Sequence, residues 1–259
     1  MGSMRFGIAG RVMHGGRARV FAGGAMGAAM IVTLGAAVPA AGLRARSAAV
    51  TDFKFGLNGV SVLSASDAWA VGESSTVLHW NGTSWAKVTI PVTGVDLSAV
   101  DALSPSDVWA AGLAAGKAFA LEDTLIVHWN GTAWKRVPSP GKSFDTNNVI
   151  PSLSSVSMDS ATDGWAVGGV FNKRTDAVTP LALHWNGTSW QRVTTSSGFD
   201  FTGVTSFSPA NATAVGRDRA SSKLGVPATF HWNGSTWALA SDIPVPHGMP
   251  LPRSLGLWS

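Results

Sequence analysis

Four histidines, His79, His128, His184 and His231, open four copies of His-Trp-Asn-Gly, and regularly spaced imidazoles invite a metal or acid–base reading. A metal needs its ligands within ~2.0–2.2 Å of one point. These histidines lie 49, 56 and 47 residues apart, none with a His-x-His or His-x₃-His companion. Each is expected to pack beside its tryptophan with its ring nitrogens bonded to backbone. Asp67, Asp107 and Asp163 recur in phase with the histidines, and the fourth copy carries Asn211 instead. A neutral amide at that place argues against a calcium site or a catalytic acid. The expected role is to satisfy turn N–H groups. No metal and no cofactor is implied.

Catalysis has one remaining route. Glu73, Glu122, Asp123, Asp176 and Asp218 fall between the repeated motifs, and two carboxylates facing across a cleft would suit a glycoside hydrolase. The chain has no tyrosine, which excludes a sialidase-type tyrosine nucleophile. It also has no Gly-x-Ser-x-Gly, His-Glu-x-x-His or phosphate-binding glycine loop. Asn-x-Ser/Thr triplets at Asn81, Asn130, Asn186, Asn211 and Asn233 match glycosylation acceptors. Four of the five coincide with the Asn-Gly turns, so turn chemistry accounts for them.

The elements that must position these residues are legible from the repeat. Each unit begins with an alternating apolar run: Leu57–Leu63, Leu97–Leu103, Leu153–Met158 and Phe201–Phe207. A turn follows, Ser64-Ala-Ser-Asp67, Ser104-Pro-Ser-Asp107, Ser160-Ala-Thr-Asp163 and Ser208-Pro-Ala-Asn211, with serine and proline where a type I turn prefers them. Next come Trp69-Ala-Val-Gly72, Trp109-Ala-Ala-Gly112, Trp165-Ala-Val-Gly168 and, in the last copy, Thr213-Ala-Val-Gly216. A third run leads into His-Trp-Asn-Gly, and Asn-Gly predicts a tight hairpin with positive φ at both central residues. The fourth run starts at Trp85, Trp134, Trp190 or Trp237. Eleven of the twelve tryptophans occupy three repeat slots, and Trp258 lies outside them. A sheet of roughly 50 residues cannot bury both its faces alone, so such sheets pack face to face about an axis with the indoles as wedges. The reading is an all-β fold: a β-propeller of four-stranded antiparallel meander blades, four complete repeats, truncated or incomplete if family relatives carry more.

Ser-x-x-Asp-x-Trp-Ala-Val-Gly followed by His-Trp-Asn-Gly-Thr-x-Trp resembles the repeats of secreted bacterial propellers of the WD40/YVTN/BNR-like group. The resemblance covers about residues 53–240 and implies the architecture without an activity. The Asp-box of sialidase-type propellers matches only in part, and its chemistry does not transfer.

Domain limits follow. Residues 1–40 read as a signal peptide: Arg5, Arg11, Arg17 and Arg19 precede an uncharged apolar stretch that ends at Val38-Pro39-Ala40. Residues 41–52 form a short linker, and 53–250 the propeller, with blades at about 53–94, 95–148, 149–199 and 200–246. Residues 251–259 are a tail or the start of a fifth blade. The protein is thus expected to be secreted, from a bacterium by composition, meeting the membrane only through the signal segment. The net charge of +4 does not indicate nucleic acid. Taking the four leader arginines from nineteen basic residues leaves fifteen, against fifteen acidic, and a neutral body lacks a basic stripe. Without cysteine, burial alone must hold the domain.

The two rims differ. The Ser-x-x-Asp and Asn-Gly turns, short and repeated, leave one rim. The connection after the second run leaves the other, and beyond the tiny Glu73–Ser75 it is long and different in each copy: Leu113–Asp123, Gly169–Thr179 and Arg217–Val226. Candidate ligand-binding residues there are Phe119, Glu122, Asp123, Phe171, Asn172, Lys173, Arg174, Asp176, Arg217, Asp218 and Arg219, because recognition sits on loops held by a rigid scaffold. The functional expectation is a non-enzymatic binding propeller for an extracellular glycan or cell-envelope protein. The alternatives are the hydrolase built on loop carboxylates and a truncated propeller without function. An open ring would expose an apolar flank and favour self-association.

Overall fold

The structure, a computed structural model, describes residues 56–114, 123–140, 148–219 and 225–242. The signal segment, the linker and the tail beyond 250 lie outside these. Among the described residues sixteen strands form four sheets. Blade 1 holds β1 (Leu57–Ser64), β2 (Asp67–Gly72), β3 (Thr76–Trp80) and β4 (Trp85–Lys87). Blade 2 holds β5 (Asp96–Ser104), β6 (Asp107–Ala114), β7 (Asp123–Trp129) and β8 (Trp134–Arg136). Blade 3 holds β9 (Val149–Ser160), β10 (Asp163–Asn172), β11 (Val178–Trp185) and β12 (Trp190–Val193). Blade 4 holds β13 (Phe199–Ser208), β14 (Asn211–Asp218), β15 (Val226–Trp232) and β16 (Trp237–Asp242). Each sheet is an antiparallel meander in chain order, so the fold is the expected all-β propeller of four-stranded blades.

Register explains the repeat. Trp69 pairs with Ser61 and His79, and the same triplet recurs as Asp101–Trp109–His128 and Ser157–Trp165–His184. Side chains of paired residues share a face, so indole meets imidazole, stacked in blades 1 and 2 and tilted by 39° in blade 3, with ring centroids 4.3, 4.2 and 4.6 Å apart. The wedge indole then enters the tryptophan pair of the next blade: Trp69 against Trp129 and Trp134, Trp109 against Trp185 and Trp190, Trp165 against Trp232 and Trp237, all at 4.8–5.7 Å. Polar side chains lock the same interfaces. Ser61 accepts from the backbone N–H of Ala102, Asp101 from Met158 and Ser157 from Ser206. The motif's terminal glycines have a steric cause. At Gly112, Gly168 or Gly216 a Cβ would collide with a carbonyl oxygen of the first strand, and at Gly72 with that of Gly56 just before it; the first strand bulges there.

Three apolar clusters result, joining blades 1 and 2, 2 and 3, and 3 and 4. Among the described residues no such cluster joins blade 4 to blade 1. In blade 4 Thr213 stands where the wedge indole stands in the other blades. Trp85 is 39% exposed, whereas Trp134, Trp190 and Trp237 are each 4% exposed.

Two local expectations are corrected. The Asn-Gly hairpins are four-residue loops in which only the glycine has positive φ, 91° at Gly82. Asn81 Oδ1 accepts from the N–H groups of both Thr83 and Ser84, a capped turn that needs no left-handed asparagine. The long connections are also shorter than expected, because β10 runs on through Phe171 and Asn172, and β14 through Arg217 and Asp218.

Candidate functional site

On the turn rim the repeated polar groups are spent on one another. Ser64 Oγ accepts from Ser66 N–H, and Ser104 and Ser160 do the same for Ser106 and Thr162. Trp80, Trp129, Trp185 and Trp232 each donate Nε1–H to a carbonyl of the adjacent Ser-x-x-Asp/Asn turn, at 3.0–3.1 Å. The aspartates do not cap the turns, as the serines already do so. They start the second strand, two positions before the wedge tryptophan, and accept from histidine Nε2–H on the third: His79–Asp67 at 2.9 Å, His128–Asp107 at 2.8 Å and His184–Asp163 at 2.7 Å. The histidines therefore bond to these carboxylates rather than to backbone. Burial holds His184 below the usual imidazole range. The pairs orient the histidine that backs each wedge. Beside the third pair, Asp159 is raised to about 6 by burial and by the Asp163 carboxylate. Among the described residues no three His, Asp or Glu side chains are grouped to hold a metal ion.

The loop rim is different in every blade. Phe119 and Glu122 lie outside the described residues. Asp123 begins β7, is buried, and meets Arg136 at 3.3 Å, while its Oδ1 is buried without a protein partner among the described residues. In blade 3 the hairpin tip is tightly organised. Asn172 Oδ1 accepts from the N–H groups of Arg174 and Thr175, and Lys173 N–H donates to Asn148 O. Asn172 is therefore a structural cap. Phe171 is half-buried, and Lys173, Arg174 and Asp176 are exposed, Asp176 with φ 54°. In blade 4 the buried Asp200 draws in Arg217 at 3.0 Å and Arg219 at 2.8 Å, leaving two guanidinium groups on one carboxylate. Asp218, between them in sequence, is half-buried.

The candidates thus form separate groups on blades 2, 3 and 4. Two features were missed. Asp200, which organises two of the named arginines, lies inside an apolar run and carried no loop signal. A groove of about 380 Å³ opens beside the blade 3 hairpin, lined by Arg192 and the hydroxyls of Thr179, Thr194, Thr195, Ser196 and Ser197. The Thr-Thr-Ser-Ser run after β12 was its visible trace. The four innermost strands line an open pocket of about 40 Å³, room for a few waters.

No family model and no curated protein matches the chain. Solved structures with a detectable likeness include YCF48 bound to D1 peptide, at 14% identity and TM-score 0.43, covering 71% of this chain and 53% of that one. The native Bacillus subtilis arabinanase Arb43A is similar at 12% identity and TM-score 0.38, over 68% and 74% of the two chains. A fucose lectin from Kordia zhangzhouensis, in complex with methyl-fucoside, is similar at 15% identity and TM-score 0.33, over 53% and 93%. The chain spans about half the length of the YCF48 structure.

Proposed function

We propose that the protein is a secreted, non-enzymatic binding propeller that recognises an extracellular glycan or cell-envelope protein through the loop rim of blades 3 and 4. The observation that carries this reading is the contrast between rims. One consumes its repeated polar groups internally. The other sets different cationic and hydroxyl-bearing residues on each blade: Lys173 and Arg174 at a capped tip, Arg217 and Arg219 around Asp200, and the Arg192 groove between them in sequence. Fixed backbone under exposed polar side chains limits the ordering cost of binding. Guanidinium and hydroxyl groups complement carboxylates and sugar hydroxyls.

The full chain should be screened on immobilised glycans and cell-envelope proteins. Replacing Lys173 and Arg174 together by alanine should weaken the binding found by about tenfold or more. The melting temperature should stay unchanged, because both side chains are exposed. Unaltered affinity, or release of sugar from a polysaccharide substrate by the wild-type protein, would refute the reading.

A further inference from the structure

Blade 1 carries a vacant copy of an interface that the molecule fills three times. Trp80 and Trp85 sit 5.7 Å apart at 46°, much as Trp129–Trp134, Trp185–Trp190 and Trp232–Trp237 do at 5.6–6.1 Å and 43–47°. Each of those three pairs receives an indole backed by histidine; among the described residues the blade 1 pair receives none. Around it Leu57, Val60 and Val62 are exposed. The hydrogen-bonding pattern continues in the same way. Ala102, Met158 and Ser206 donate N–H to a hydroxyl or carboxylate of the preceding blade, and Val62 is the equivalent residue in blade 1.

The occupied copies define what fits: a sheet presenting an indole stacked on imidazole, flanked by small apolar residues and one buried acceptor. None of the four described blades supplies it. Trp69, Trp109 and Trp165 are each seated between its own blades, and the free face of blade 4 offers Thr213 beside Asn211 and His231. A second copy presents the same face of blade 4, with Thr213 in the wedge position. We infer that the flank of blade 1 is a docking surface for a further blade of this same repeat type, one that keeps tryptophan where blade 4 has Thr213. The surface is a sheet face, distinct from the loop rim, and does not depend on what that rim binds. The continuity of one interface through three filled copies to a fourth unfilled one is what specifies the partner.

The test builds that partner from the chain itself. A donor carrying Asn211→Asp and Thr213→Trp regains the wedge, and Trp85→Ala in the same donor removes its own slot. Mixed with wild-type protein and followed by light scattering and calorimetry, it should form a one-to-one complex. Trp85→Ala in the acceptor should weaken that complex about tenfold or more, and a donor retaining Thr213 should not bind. Circular dichroism and thermal melts verify that each donor is folded. If the indole unsettles the donor, Thr213→Phe with Trp85→Ala replaces it, with the same expectation. No complex with a folded donor would overturn the inference. So would a complex indifferent to Trp85, or wild-type self-association abolished by Trp85→Ala, which would make a second copy the occupant.

Discussion

The outer flank of blade 1 and the corresponding faces of blades 2, 3 and 4 have closely related sequence and opposite surroundings. Val60 is 37% exposed, while its counterparts Val100, Val156 and Val204 are 8%, 5% and 1% exposed. The residue types are the same, so exposure is set by the neighbour and not by the blade's own sequence. What the difference teaches is that an isolated blade of this type buries only part of its apolar surface. The preceding blade's indole removes the rest from water, and a tryptophan contributes ~150–250 Å² in such a position.

That comparison can be broken at the wedge itself. Trp109→Ala should destabilise the protein by about 3–5 kcal/mol, because it leaves a cavity between Trp185 and Trp190. Denaturant unfolding monitored by far-ultraviolet circular dichroism measures it, and a loss below about 1 kcal/mol would mean that the indoles are not the interblade support. The comparison is sharpened at a single repeat position. Trp134→Ala should cost about 3 kcal/mol, while Trp85→Ala should cost less than about 1 kcal/mol, since only the first is covered. Equal losses would mean that the blade 1 flank is covered in solution.

The smallest effect concerns pH. Burial raises Asp159 from 3.8 to about 6, so the folded protein holds a proton there that the unfolded chain has already released. The stabilising contribution of this group is therefore present at acid pH and is lost as the pH rises through 6. Asp159→Asn should gain stability relative to wild type between about pH 4.5 and about pH 7.5. Thermal melts of both proteins across that range check it, and a constant difference would show that Asp159 titrates normally.

Much of this architecture was legible because the repeat is written in tryptophan. Large aromatics at fixed spacing leave few ways to be buried, and the meander with its wedge slots follows from Trp69, Trp80 and Trp85 and their repeats. The Asp–His pairs were not legible. Asp67 and His79 are 12 residues apart, and only the strand register brings them together. Serine also competes for the turn N–H groups that aspartate was expected to satisfy. The Asn-Gly hairpins were misread because a side-chain oxygen can close a four-residue loop as well as a left-handed backbone can. Thr213 was visible in the alignment, but its meaning depends on which face of β14 lacks a neighbour. The rim candidates were legible as exposed charge on variable segments; Asp200, the group that gathers two of them, sits in a buried strand.

The central claim is that three indole-filled interfaces join four blades and that, among the described residues, nothing fills a fourth slot. Oxidation of the folded wild-type protein with limiting N-bromosuccinimide, with each tryptophan read by peptide mass spectrometry, tests it directly. The account predicts that Trp85 is modified well before Trp134, Trp190 and Trp237, and that Trp69, Trp109 and Trp165 react last. Protection of Trp85 equal to that of Trp134 would contradict it.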